Sequence, residues 1–396
     1  MESKKGSLKS TITVSLTNYL DAGSIVAGAS GLTLWQNYLG LTETNLGMLN
    51  AISANCFGAA LGAIIGGRLA DKYGRKAIYS RNMLLYMLGV GVIMLSFNFP
   101  MLLAGFLITG ISVGIGVPPS WTYISETSEA SKRGRNIGIS QLAWSVGPAV
   151  IFLLGWLFAP TGPLGNEVRS LGVLILRTSD AVALDLFGNR LVFFTLLVVA
   201  FIAWLLQRRL DESTEWVELN IRKTVSKQEH PYKELLTNLI NVKAITFLVG
   251  IYLTWNFVAG AMGFFMPHVY ETAGGLSNET ANFLQMAMWG LTALFSYFGF
   301  ALLADKINQR FLYAFGTTLG VVAWVILTFV GITDTVALWS FVILWGVHAG
   351  FGVQAFYALW ASELFHARYR AAAQGLMFFV VSLPFEGSFF VAPASP

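Results

Sequence analysis

The chain is a succession of apolar runs, each about 20 residues long and closed off by a short cluster of charge. An α-helix rises 1.5 Å per residue, so about 20 apolar residues match the hydrocarbon thickness of a bilayer. Candidate spans fall near 14–36, 47–67, 79–97, 101–123, 138–158, 191–207, 244–267, 280–303, 312–332, 336–361 and 372–395. Only 12% of the 396 residues are charged, about half the usage of an average soluble domain. The pattern calls for an all-α polytopic membrane protein embedded in a lipid bilayer, not a soluble enzyme.

The basic residues orient it. With the polar segment Met1–Ser15 inside, every Lys and Arg falls on that side except Arg169, Arg177 and Arg190, which share one long external loop. That segment leads into a span too long for a cleaved signal peptide, so a cytoplasmic amino terminus in a cell inner membrane is expected. The formal net charge of +4 is spread over many short loops and forms no stripe, which argues against nucleic acid. The single Cys56 permits no intrachain disulfide, and His230, His268, His348 and His366 are scattered, so neither a metal nor any other cofactor is expected. Gly110-Ile111-Ser112-Val113-Gly114 matches a serine-hydrolase elbow but lies inside a helical run, where glycine packing explains it. Gly58, Gly62 and Gly66 form a second small-residue face that lets a helix approach closely. Asn278-Glu279-Thr280 is a formal glycosylation sequon in an external loop.

An internal repeat is the sharpest signal. Leu69-Ala70-Asp71-Lys72 recurs as Leu303-Ala304-Asp305-Lys306, 234 residues on, and Ser125-Glu126 with Arg133 recurs as Ser362-Glu363 with Arg370, 237 residues on. Two motifs at nearly one offset imply two homologous six-helix bundles, an arrangement that transporters use. The expected organisation is a first bundle over 1–207, a polar connector over 208–243 and a second bundle over 244–396. Acidic and basic groups at helix ends can pair across the halves to close the cytoplasmic side.

These residues resemble the major facilitator superfamily, and within it the sugar-porter family. Gly67-Arg68-Leu69-Ala70-Asp71-Lys72-Tyr73-Gly74-Arg75-Lys76 is similar to the superfamily's signature loop between helices two and three. Tyr123-Ile124-Ser125-Glu126, Arg133-Gly134 and Gln141 resemble the sugar-porter pattern from helix four into helix five; Glu363-Leu364-Phe365 with Arg370, and Glu212-Ser213 with Trp216, resemble its elements after helices ten and six. Tyr19, Asp21 and Gly23 resemble the first helix of proton-coupled members. The resemblance implies alternating access, a small polar solute and cytoplasmic gate positions at Gly67, Asp71, Gly74, Arg75, Glu126, Arg133, Glu212, Asp305, Glu363 and Arg370. The chain departs from the family where a helix-four Arg would face Asp21, at about Phe106, and in helix seven, where the family's hexose-binding paired glutamines and Asn are replaced by Leu253-Thr254-Trp255-Asn256-Phe257, which argues against a hexose. His366 stands where the family has Pro, and twelve helices are implied where eleven spans are found, so a truncated second bundle is expected.

Asp21 is the proton-coupling candidate, because a carboxylate inside a span costs several kcal/mol unless it is hydrated, paired or protonated. Glu386, well into the last span, is weighed beside it. Gln141, Trp144 and Ser145 stand at i, i+3 and i+4 on one helical face, an amide, a ring and a hydroxyl suited to a polyhydroxylated solute. Trp255 and Asn256, read as interrupting span seven, join them with Gln285 and Trp289 and with Gln354, Tyr357 and Trp360. The expected function is a secondary transporter of a sugar, polyol or similar solute, by proton symport, with a monomer as the working unit. An organic-acid carrier, a uniporter or a non-transporting sensor of the same fold stay open, although no Lys or Arg sits deep in a span to meet an acid.

Overall fold

The computed structural model describes residues 8–52, 56–213, 216–218, 231–366 and 369–382. The first half comprises α1 (Leu8–Ala29), α2 (Leu32–Leu39), α3 (Glu43–Ile52), α4 (Phe57–Tyr73), α5 (Arg75–Met94), α6 (Phe99–Thr127), α7 (Arg133–Phe158), α8 (Gly165–Leu176) and α9 (Ala181–Gln207). After the connector come α10 (Pro231–Thr237), α11 (Leu239–Thr272), α12 (Asn278–Phe295), which continues as a π-helical turn over Ser296–Ala301, α13 (Gln309–Val330), α14 (Thr335–Gly350), α15 (Val353–Leu364) and α16 (Arg370–Val381). Among the described residues, nine helical segments are long and apolar enough to cross a membrane. Of the remaining two expected spans, the first corresponds to the more polar α1 and the last to α16, of which twelve residues are described. Glu386 lies outside the described residues.

Helix starts follow side-chain chemistry. Asn98, Asp180, Asn238, Ser277, Asn308 and Asp334 each accept a hydrogen bond from an otherwise unpaired backbone N–H in the first turn of α6, α9, α11, α12, α13 and α14. Gly74 adopts φ 94° between α4 and α5, a conformation that disfavours any residue with a β-carbon. The predicted glycine faces pack as read. A β-carbon on Gly62 would come within 2.9 Å of Gly114 Cα, and one on Gly66 within 2.5 Å of Ile115 Cα, so α4 and α6 meet backbone to backbone.

Two boundaries depart from the sequence reading. α9 begins at Ala181, ten residues before the expected sixth span, because its polar residues are satisfied inside the protein. Asn189 accepts from Trp35 Nε1 (2.8 Å) and donates to Ala27 O (2.9 Å) and Ser30 Oγ (3.0 Å), and Arg190 donates to Ser96 O (2.8 Å). α11 runs unbroken through Trp255 and Asn256, which turn a face toward the molecule's centre and interrupt nothing. Within the first half α1 packs on α7 and α9, and α6 on α4 and α5; in the second α14 packs on α12 and α13. Across the halves α4 meets α16, α7 meets α12 and α1 meets α11.

Candidate functional site

The repeated motifs gather at one end of the molecule and hold each other's helices. Asp71 Oδ2 accepts the N–H of Ala372 at 2.8 Å, in the first turn of α16. Its repeat, Asp305, accepts the N–H of Gly134 (3.1 Å) and of Arg135 (2.9 Å), in the first turn of α7. Each carboxylate therefore sits at the positive end of a helix from the other half, where charge and orphan N–H groups reinforce one another. Closeness of backbone makes these caps possible. A β-carbon on Gly67 would lie 2.5 Å from Ala371 O, and one on Gly138 would lie 2.5 Å from Ala301 Cβ.

Behind the first cap lies a buried ion network. Arg75 is 1% exposed and reaches Asp71 Oδ1 (3.1 Å), Glu126 Oε1 (2.8 Å) and Ala70 O (3.1 Å). Glu126 also accepts from Ser213 Oγ at 2.6 Å and faces Arg370 Nη1 of the other half at 3.7 Å. Glu212 caps α5, accepting from Arg75 N (2.9 Å) and Lys76 N (3.1 Å), and its carboxylate occupies the space beside Gly74. The second copy is weaker. Gln309 takes the place of Arg75, donating to Ala304 O at 3.5 Å as Arg75 donates to Ala70 O. Glu363 lies within electrostatic reach of Arg133 and Asp305, mirroring Glu126 and Arg370. All ten expected gate positions thus sit on this motif face. The opposite face is also bridged: Ser30 O accepts from Asn278 Nδ2 (3.2 Å) and Asn282 Nδ2 (3.0 Å), and Thr33 Oγ1 meets His268 Nδ1 at 3.1 Å.

Between the two faces the halves enclose a cavity of about 620 Å³, its open mouth included. Its first-half wall is Ala22, Ile25 and Val26 of α1 with Trp144 and Pro148 of α7. Opposite stand Tyr252, Trp255, Asn256 and the small residues Ala259, Gly260 and Gly263 of α11, with Trp289, Gln354, Phe378 and Ser382 closing the ring. Among the described residues, none on the wall carries a charge at neutral pH. The indole N–H of Trp289, the amide nitrogen of Gln354 and the hydroxyl of Ser382 are buried without a hydrogen-bond partner. Buried polar groups left unpaired cost about 1–3 kcal/mol each, which a hydroxylated ligand would recover.

Five of the expected binding residues meet there: Trp144, Trp255, Asn256, Trp289 and Gln354. Gln141 and Ser145 stand aside. Ser145 Oγ donates to Gln141 O (3.0 Å) and shares a bond with Ser296 Oγ of the π turn (3.2 Å), so this pair joins α7 to α12. Gln285 lies one turn from Trp289 with its amide nitrogen buried and unpartnered. Tyr357 stacks on Tyr252 one layer behind the wall, ring centroids 4.2 Å apart. Trp360 is placed away from the cavity and donates to Gln309 Oε1 at 2.7 Å. The wall residues of α11 beyond Asn256 carried no chemical signal in the sequence, because small residues announce only space.

Asp21 is fully buried, and neither carboxylate oxygen has a hydrogen-bond partner. It is the neighbour of the wall residue Ala22 but turns toward α6, where Oδ2 lies 3.6 Å from the position a β-carbon on Gly116 would take. The residue opposite Asp21 is thus Gly116, not Phe106 as counted along the sequence. Phe106 instead fills space beside Gly28 and packs edge-on against Phe264.

A comparison with known families matches residues 12–385 to the Major Facilitator Superfamily. The chain belongs to the Major Facilitator Superfamily. Within the superfamily, it is 42% identical to the minor myo-inositol transporter IolF of Bacillus subtilis (strain 168), over 95% of this chain and 81% of that protein. It is 26% identical to an arabinose-proton symporter of Escherichia coli (strain K12), over 65% of this chain and 55% of the symporter. Among solved structures, the proton:xylose symporter XylE bound to 6-bromo-6-deoxy-D-glucose superposes with a TM-score of 0.70 at 18% identity, covering 96% of this chain and 86% of that one. The human organic anion transporter MFSD10 gives 0.67 at 13% identity, covering 98% and 93%, so the superfamily fold by itself does not decide the solute. These relatives are transporters, and the chain is a multi-pass membrane protein of their kind and not an enzyme.

Proposed function

We propose that this chain is a secondary transporter of a neutral polyhydroxylated solute, an inositol-type cyclic polyol or a sugar, moved by alternating access and driven by proton symport. The observation that carries the reading is the uncharged central cavity, walled by aromatic rings and furnished with unpaired polar groups. Rings offer flat apolar surface to the C–H faces of a cyclic polyol while the amide and indole N–H groups meet its hydroxyls. An organic acid would need a cation on the wall, and none of the described wall residues supplies one. The 42% identity to a protein named as a myo-inositol transporter points the same way.

Residues 1–207 and 244–396 act as the two moving bundles, joined by 208–243. The motif face is cytoplasmic, with the amino terminus, in the cell's inner membrane, since Lys and Arg collect on that side. Asp21, unpaired and buried beside the wall, is the proton site. The test pairs proteoliposome counterflow of labelled myo-inositol with net uptake into vesicles that are not preloaded and hold an internal pH dye, comparing the native chain with Asp21→Asn. Counterflow in both proteins, with internal acidification on net uptake only in the native one, is expected. Counterflow absent for every polyol and sugar overturns the solute class; acidification surviving in Asp21→Asn overturns its role.

A further inference from the structure

The three arginines outside the motif face all lie in or beside the segment between α7 and α9, and this segment is not the open loop that its position suggests. Arg190 is bound to Ser96 O, and Arg169 pairs with Asp185 at 2.9 Å. Arg177 is exposed, with no ionic partner among the described residues, at the end of α8. It adopts φ 51°, and its N–H closes the helix on Val173 O.

α8 has three faces. Gly165, Val168 and Gly172 are buried, and a β-carbon on Gly172 would touch Leu184 and Phe187 of α9 at 3.1 Å. Asn166, Arg169 and Ser170 form a polar side that ends at the exposed Val173. A third stripe, Leu171, Leu174 and Ile175 at i, i+3 and i+4, is bare, at 41%, 74% and 57% exposure, and the exposed carboxylate of Glu167 closes it one turn toward the start of the helix. The position of α8 on α9 says what covers that stripe. Phe187, which α8 buries, lies seven and fourteen residues from Phe194 and Phe201 on the same helical face, and both of these are bare, at 47% and 48%. Within a spanning helix such rings face hydrocarbon. α8 therefore rests on the lipid side of α9, away from the cavity, and its bare stripe continues the lipid-facing surface.

We propose that α8 is an interfacial helix, lying in the leaflet opposite the motif face, with Leu171, Leu174 and Ile175 in the acyl boundary and Arg177 on a phospholipid phosphate. An apolar stripe flanked by a polar side and an arginine is the arrangement that holds a helix in that plane.

Spin labels at Leu171→Cys, Ile175→Cys and Asn166→Cys, each in a Cys56→Ala background and in nanodiscs of zwitterionic and anionic phospholipid, test it by power saturation. Labels at 171 and 175 are expected to collide preferentially with oxygen, and the label at 166 with an aqueous nickel chelate. Arg177→Gln is expected to shift the label at 175 toward the chelate. Preference for the chelate at 171 and 175 overturns the proposal, as does spin–spin broadening between nanodisc-paired copies, which would mean that a second chain covers the stripe. An unchanged label at 175 in Arg177→Gln overturns the phosphate contact. None of these readouts depends on which solute the protein carries.

Discussion

The two reciprocal caps should set the balance between closed and open states of the motif face, and Asp→Asn substitutions measure how strongly. Asparagine keeps an oxygen that can cap a helix but removes the charge. A hydrogen bond to a charged group contributes about 1.5–3 kcal/mol against about 0.5–1.5 for a neutral one, and a charge at a helix N-terminus adds about 0.3–1. For Asp71, whose Oδ2 lies 2.8 Å from Ala372 N, the loss of the cap is about 1–2 kcal/mol in the closed state only, while its ion pair with Arg75 lies within one half and weakens in both states. That shifts the closed-to-open ratio about 5- to 30-fold. Asp305, at 3.1 and 2.9 Å from two N–H groups, should act in the same direction by a similar amount. The two caps share no partner, so the double variant should add the two losses, roughly 30- to 1000-fold. Pulsed electron-spin distances between labels at Ser131 and Lys243, in a Cys56→Ala background, report the two populations. A population that does not move, or a shift toward the closed state, would refute the reasoning. So would a double variant no more open than either single one.

Further outcomes are expected from the packing and the cavity. Gly67→Val and Gly138→Val should abolish uptake by holding the halves apart, since each β-carbon would come within 2.5 Å of the opposing helix; Gly290→Ala, where a β-carbon meets open space away from the cavity wall, should retain it in the same uptake assay. Trp289→Phe removes the unpartnered indole N–H of the cavity wall and should raise KM about 2- to 12-fold, for a hydrogen bond of about 0.5–1.5 kcal/mol, with kcat within about twofold. Asn189→Leu removes three buried hydrogen bonds and strands the Trp35 N–H. It should cost about 2–4 kcal/mol and lower the Tm of the detergent-solubilised protein, and an unchanged Tm would show that the cluster contributes nothing to stability.

The fold was legible wherever one residue type meets one environment. Apolar runs marked the spans, and the glycines of α4 and α6 marked close contact. The repeat of Leu-Ala-Asp-Lys and Ser-Glu marked a paired architecture, because duplicated charge at helix ends leaves a trace that drift in lipid-facing residues does not erase. Legibility failed where a polar group is satisfied from a distant part of the chain. Asn189 and Arg190 looked like loop residues until Trp35, Ser30 and Ser96 supplied their partners, so the start of α9 was hidden. The candidate site divided in the same manner. Trp144, Trp255, Asn256, Trp289 and Gln354 advertise themselves as polar or aromatic interruptions of apolar helices and do converge. Spacing along one helix could not tell that Trp360 points to Gln309, nor that Asp21 faces Gly116. Those facts depend on rotation of one helix against another, which a single sequence does not encode locally.

The crossed placement of Asp71 and Asp305 bears on how such a protein can be inherited and rebuilt. After a duplication, one copy is ordinarily released to drift while the other keeps its job. Here each copy's aspartate serves the other copy's helix, so a change at 71 is answered at 371–372, not near 305, and a change at 305 is answered at 134–135. A chimera that joins the first half of this chain to the second half of a distant relative would inherit two unmatched latches at once. Exchanging α4 together with α16, or residues 278–306 together with α7, would carry each latch across whole. The natural unit of transplantation is the interface, not the half.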